Sequence, residues 1–292
     1  MINNKLKIVV INIVAVIIIY FVCKYFILCC MCKPTEKNFW VSIGDFLCPN
    51  YEKFYQRFPK DTPLPSLIEI KNDKKPIVIF GCSFAEGVFL NDEDKFSYRL
   101  YEATKRNVYN KAMVGQGLQY MLYQLENEKF YQEFPEPEYV IYVYINDQLR
   151  RLYKECAPMM KSPFYKIGKN GKLKKINNPF YYSFPMLCIR YMEQVPENDE
   201  TYSFLRQHFI YAKELADKHW KNAKWILILY EETPVKYFEE LKKYGYTVVV
   251  LKDLVPDDFY TNLKYRISET DPHPSKEAWL TITPNFVAKY LQ

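Results

Sequence analysis

Four predominantly apolar runs stand out after the first quarter of the chain, at positions 76–81, 139–145, 224–230 and 246–251, with a weaker one at 108–113. Each has the length of a strand, and none alternates polar with apolar positions. Continuous apolar runs suit strands covered on both faces. Between and after them the apolar residues recur at helical spacing, at 96–104, 118–130, 202–219, 235–244 and 275–291. Strand and helix in repeated alternation predict an α/β domain: a parallel sheet of about five strands, helices on both sides, open and doubly wound. No internal repeat is visible.

The N-terminal segment has a different pattern. From Ile8 to Val22 only Asn12 and Tyr20 interrupt the apolar residues, and after Cys23 and Lys24 the run resumes from Tyr25 to Met31. A bilayer needs about 20 apolar residues, and a lysine near one end can extend to the interface. No small-x-small cleavage site follows, so the expectation is an uncleaved transmembrane helix at 1–32 rather than a signal peptide. Lysines flank both ends, Lys5 and Lys7 against Lys33 and Lys37. A short N-terminus before a large domain then favours a single-pass membrane protein with its domain outside the cytoplasm. Residues 33–75, punctuated by Pro34, Pro49, Pro59, Pro63 and Pro65, read as a spacer, and 76–292 as the folded domain.

Charge argues against nucleic acid as a partner. Of the net +6, residues 1–37 supply +4, and a stretch at about 156–192 holds seven cations with no Asp or Glu. The rest of the domain is therefore acidic and offers no surface that tracks phosphates. The 156–192 stretch reads as an insertion with a hairpin turn at Asn170-Gly171 and a cluster of aromatic residues. Lys172, Lys174, Lys175, Tyr181 and Tyr182 are its candidate contacts to an anionic or acetylated polymer. A solvated lysine-rich loop is the plain alternative.

The cysteines do not suggest a metal. Cys23, Cys29, Cys30 and Cys32 belong to the apolar N-terminal segment, and Cys48, Cys82, Cys156 and Cys188 match no zinc spacing. Cys156 and Cys188 are candidates for a disulfide. With three histidines in the chain, no metal or other cofactor is expected.

In an open parallel sheet, ligands bind beyond the carboxyl ends of the strands. Four groups of residues fall there. Ser83 follows the first run within Gly81-Cys82-Ser83, Gly115 and Gly117 follow the second, Asn146 ends the third, and Asp271-Pro272-His273-Pro274 precedes the last helix. Each alone has an ordinary reading as a cap, turn or loop residue. Together they supply a serine nucleophile, a histidine base and a carboxylate to orient it. The backbone N–H of Ser83, that of Gly115 and the Asn146 amide would serve as donors to an oxyanion.

These four blocks, in this order, resemble the SGNH hydrolases, or GDSL-type esterases, over roughly residues 76–291. The resemblance implies a flavodoxin-like three-layer α/β/α sandwich with Ser83, Gly115, Asn146 and His273 as nucleophile, oxyanion donors and base. Two positions depart from the pattern: Cys82 replaces an aspartate, and Tyr144 a glycine. The Asp-x-His spacing of Asp271 and His273 is one residue shorter than usual and looks like that of membrane-associated SGNH proteins of polysaccharide O-acetylation. The expected function is a membrane-anchored serine esterase that removes a small acyl group, acetyl first, from a cell-surface glycan. The alternatives are an O-acyltransferase on the same scaffold, fed by a membrane acyl-donor partner, and a non-catalytic glycan-binding protein.

Overall fold

The computed structural model describes Tyr20 and residues 74–133, 135–153, 163–176 and 195–291. All but Tyr20 belong to the second of two compact units into which the chain divides, Asp61–Gln292. The expected membrane helix (Tyr20 apart), most of the spacer, the Cys156–Cys188 pair, Tyr181 and Tyr182 lie outside the described residues. Among the described residues no helix is long and apolar enough to cross a membrane.

The described residues form seven strands: β1 (Ile77–Phe80), β2 (Val108–Asn110), β3 (Tyr139–Tyr144), β4 (Tyr165–Ile167), β5 (Leu173–Lys175), β6 (Lys224–Leu229) and β7 (Tyr246–Val250). Five make one sheet in the order β2-β1-β3-β6-β7, every neighbouring pair parallel. This is the flavodoxin-like order, in which the chain adds strands to one side of β1 and then to the other. The remaining two, β4 and β5, form an antiparallel hairpin closed by the predicted turn.

The runs are continuous because both faces of the sheet are covered. Ile77, Ile79, Ile141, Val143, Ile226 and Ile228 pack with Phe96, Leu100, Trp279 and Phe286. Val78, Phe80, Val140, Tyr142, Leu227 and Leu229 pack with Leu118, Leu122, Leu205 and Phe209. The first layer is carried by helices α2 (Phe96–Thr104) and α6 (Lys276–Tyr290), the second by α3 (Leu118–Leu125) and α5 (Asp199–Ala216). Two one-turn helices at strand tips, α1 (Ser83–Glu86) and α4 (Asp147–Arg151), complete the set.

Helix ends follow local hydrogen bonding more than apolar spacing. Helix α5 starts three residues before its predicted position. There Asn198 and Thr201 form a reciprocal capping box, the Asn198 side-chain Oδ1 accepting from the Thr201 N–H at 3.0 Å and the Thr201 hydroxyl from the Asn198 N–H at 3.1 Å. Helix α3 stops short of residue 130 because the Asn127 side chain accepts from the Lys129 N–H at 3.1 Å and opens a separate 3₁₀ turn. The helix expected at 235–244 is instead two 3₁₀ stretches, Val235–Tyr237 and Glu239–Tyr244. Their i→i+3 bonds begin beside Pro234 and end at Gly245.

His208 sits on α5 with no solvent exposure, its Nδ1 2.9 Å from the Phe204 carbonyl and its Nε2 without a partner among the described residues. Burial pushes its pKa down to about 4, against only a partial rise from the Phe204 bond. The folded form thus favours neutral imidazole while the unfolded chain titrates near 6.5, so stability is whole above the unfolded value and falls as pH drops toward 4. A shift of this size corresponds to about 3 kcal/mol. Denaturant titrations between pH 7 and 4 should show this loss in the parent and not in His208→Leu; equal slopes would contradict it.

Candidate active site

At the end of β1 the chain must turn at once into α1. Gly81 makes the turn at φ 151°, and a Cβ there would lie 2.7 Å from the Ala85 Cβ and 3.1 Å from the Val143 carbonyl oxygen. Only glycine fits both the dihedral and the space. Ser83 follows as the first residue of α1, so its N–H has no intrahelical acceptor. The turn is also fixed from β2: the Asn110 side-chain amide donates to the Ala85 carbonyl at 2.8 Å.

The carboxylate and imidazole arrive on a stiff loop ahead of α6. Pro274 bridges antiparallel to Arg266, the Ile267 N–H donates to the His273 carbonyl at 3.0 Å, and the Asp271 N–H to the Ser268 hydroxyl at 3.1 Å. The Asp271 carboxylate accepts from the His273 backbone N–H at 3.0 Å and stands 2.5 Å from its Nδ1. Nε2 lies 2.7 Å from the Ser83 hydroxyl. With a carboxylate on Nδ1, that nitrogen carries the ring proton and Nε2 is the acceptor. Burial raises the Asp271 pKa, but the backbone and side-chain bonds from His273 outweigh it and hold the carboxyl below its ordinary value. The short Asp-x-His spacing therefore permits a continuous Asp271–His273–Ser83 chain. Of the other histidines, His208 is in the core, and His219 stacks on Tyr131 at 3.9 Å.

Gly115 and Asn146 come to the strands on either side of β1. Gly115 is buried at φ 71°, and among the described residues nothing engages its N–H. Asn146 follows β3. Its side-chain oxygen accepts from the Thr233 hydroxyl at 2.7 Å, its amide nitrogen donates to the Glu232 carbonyl at 3.3 Å, and its backbone N–H to the Glu231 carboxylate at 2.6 Å. The Glu231 pKa is raised, chiefly by burial, against the opposing Asn146 bond. Neither Gly115 nor Asn146 hydrogen-bonds Ser83; what they share with it is the sheet edge.

Sequence reasoning missed what holds these blocks together. Asp147 accepts from Arg150 Nε at 2.6 Å and from Arg151 Nε at 2.7 Å, and Arg151, 7% exposed, reaches the Gln116 carbonyl at 2.7 Å. The third block is thereby clamped to the Gly115–Gly117 loop. Burial raises the Asp147 pKa, but the two arginines win and hold it low. The i, i+4 spacing of Asp147 and Arg151 was the available signal. Glu231 and Thr233, beyond β6, carried none.

The two residues that depart from the expected pattern are buried in the two core layers. Cys82 is a free thiol with no exposure in the α2–α6 core, and Tyr144 lies in the α3–α5 core, its ring 5.1 Å from Phe238. A cavity of about 180 Å³ adjoins the relay, lined by Phe84, Tyr230, Glu231, Phe259, Tyr260, Tyr265, Arg266 and Pro272. The candidate lysines of the 156–192 insertion are placed elsewhere. Lys175 stands 3.8 Å from Glu126 and over the Tyr123 ring, Lys172 is 4.0 Å from Glu214, and Lys174 is exposed on the same hairpin. Two of the three thus lie against carboxylates of the α3–α5 layer, and none touches the relay.

No protein-family model and no curated protein matches the sequence. Solved structures do resemble it. A member of the lipolytic G-D-S-L family from Veillonella parvula superposes with a TM-score of 0.46 at 11% identity, over 74% of this chain and 98% of that one. An acetyl xylan esterase from Butyrivibrio proteoclasticus gives 0.46 at 12% identity, over 73% and 63%. An esterase from Pseudoalteromonas sp., solved with monoethylphosphonate as inhibitor, gives 0.45 at 14%, over 75% and 99%. The chain's solved neighbours are thus G-D-S-L lipolytic proteins and esterases. None of these scores reaches 0.5, so the functional reading stands on the chain's own geometry.

Asp147 is 37% exposed and keeps Arg150 as a partner, so removing Arg151 chiefly deprives the Gln116 carbonyl of its donor. Arg151→Met should lower the denaturation free energy by about 1 to 3 kcal/mol. In the double variant Asp147→Asn, Arg151→Met the loss should be smaller than the sum of the two single losses. Losses that simply add would show that the pair does not couple the two loops.

Proposed function

We propose that the domain is a serine esterase of the SGNH type acting on a small acyl ester, with an acetylated surface glycan as substrate. The observation that carries this is the Asp271–His273–Ser83 relay at the sheet edge that also bears Gly115 and Asn146. In this reading Ser83 Oγ attacks the acyl carbonyl as Nε2 takes its proton, and the Asp271 carboxylate stabilises the imidazolium. The negative charge that develops on the carbonyl oxygen is met by the N–H groups of Ser83 and Gly115 and by the Asn146 amide. Thr233 holds the Asn146 oxygen, so the amide nitrogen presents its hydrogens in a fixed direction, and the long bond to Glu232 leaves one of them for substrate. His273 then protonates the departing alcohol, and a water activated by the same nitrogen hydrolyses the acyl-serine.

The apolar run at 1–32 is proposed as a membrane anchor that places the domain outside the cytoplasm. The proposed polymer contacts are Lys172, Lys174 and Lys175 with Tyr181 and Tyr182. Glu126 and Glu214 offset part of the lysine charge, which leaves Lys174 the strongest single contact of the three. No metal or organic cofactor has a role in this mechanism.

The test follows the acetyl group. Purified protein is incubated with a 4-nitrophenyl acetate donor, with and without an oligosaccharide acceptor, and acetate and acetylated sugar are both quantified. Release of free acetate at an unchanged rate in the presence of acceptor is expected. Acetyl appearing on the sugar in its place would make the protein an O-acyltransferase, and no turnover would leave a glycan-binding role. Asn146→Ala should lower kcat by about 10²- to 10³-fold with a much smaller change in KM. A raised KM at constant kcat would instead make Asn146 a ground-state binding group.

A further inference from the structure

Phe89 is built against the ordinary preferences of a folded chain. Its φ is 74°, and among the described residues it is one of two non-glycine residues at positive φ. The other, Lys105, caps the C-terminal end of α2, where a left-handed residue is common. Phe89 instead occupies the third position of a turn closed by the Leu90 N–H donating to the Gly87 carbonyl at 3.1 Å. Glycine or asparagine adopts that conformation cheaply; a bulky residue there is strained. The ring gains little burial in return, being 67% exposed, the highest value among the exposed large apolar side chains of the described residues.

What the strain achieves is a position. The Phe89 ring stands perpendicular to the His273 imidazole, 5.6 Å between centroids at 83°. Buried Phe84 also stands against the imidazole, 4.7 Å between ring centroids. The turn is tied to the nucleophile as well, since the Val88 N–H donates to the Ser83 carbonyl at 3.3 Å. Strained residues held rigidly beside reacting groups mark functional contacts.

We infer that Phe89 is a specificity-determining residue that forms the subsite for the alcohol half of the ester, as an open stacking platform for a saccharide ring. This rests on the esterase reading above. His273 must reach the departing alcohol oxygen, so that half of the substrate lies beside the imidazole, where Phe89 stands. An aromatic face open to water suits a partner with apolar C–H faces and a rim of hydroxyls, which a pyranose presents. An alkyl alcohol would need an enclosing apolar groove, and a ring this exposed does not make one.

The test compares kcat/KM on an acetylated xylo-oligosaccharide, ethyl acetate and octyl acetate for the parent, Phe89→Ala, Phe89→Trp and Phe89→Gly. Phe89→Ala and Phe89→Gly should lower the preference for the oligosaccharide over ethyl acetate by about five- to tenfold, through KM. Phe89→Trp should keep it. Phe89→Gly, which removes the strain, should melt no lower than Phe89→Ala. Equal losses on all three esters would show that Phe89 only positions His273, and a loss confined to octyl acetate would make it an anchor for aliphatic alcohols; either overturns the inference. A parent that hydrolyses none of the three defeats the esterase reading separately. Calorimetric titration of parent and Phe89→Ala with the unacetylated oligosaccharide then decides the platform, and equal affinity would overturn it.

Discussion

The site depends on one steric constraint, the contact of Gly81 with its neighbours. With 2.7 Å between a hypothetical Cβ and Ala85, and 3.1 Å to the Val143 carbonyl, the chain can leave β1 and enter α1 without an intervening loop only if residue 81 has no side chain. Ser83 is then delivered to the top of the sheet with its N–H unspent. The parallel pairing of β1 with β2 and β3 sets Gly115 and Asn146 on its two flanks. The switch in strand order at β1 opens the space between them. The fold thus sets the positions of Ser83, Gly115 and Asn146 before His273 is brought to them.

The histidine comes from the far end of the chain, 190 residues after the serine. Its placement therefore rests on a second rigid unit. The loop from Arg266 to Ser275 is braced by a bridge, two prolines and an Asp271 carboxylate bonded to both the backbone and the ring of His273. A carboxylate two residues before its histidine can do this because the turn brings the side chain back onto the next-but-one N–H. Asp271 thus shapes the loop and orients the imidazole with the same oxygen.

Much of the fold was legible in the sequence because burial on both faces leaves continuous apolar runs, as at 76–81 and 139–145. The relay residues were legible because strand tips are where chemistry collects, so Ser83 and His273 could be picked out by position. Helix boundaries were less so: the 235–244 segment has helical spacing, yet Pro234 and Gly245 leave room for 3₁₀ turns alone. The lysines of the hairpin were read from charge, which does not reveal that Glu126 and Glu214 lie opposite two of them. Thr233, Glu231 and Arg151 escaped notice because they act through contacts between blocks distant in sequence. Phe89 escaped because a backbone dihedral leaves no trace in composition.

The central claim is that His273, oriented by Asp271, activates Ser83. A fluorophosphonate that forms a covalent adduct with activated serines reports this directly when the labelled peptide is identified by mass spectrometry. The account predicts a single adduct on Ser83 in the parent, none in Ser83→Ala, and labelling slowed by several orders of magnitude in His273→Ala. Adducts that persist in Ser83→Ala, or that form in His273→Ala at the parent's rate, would contradict it.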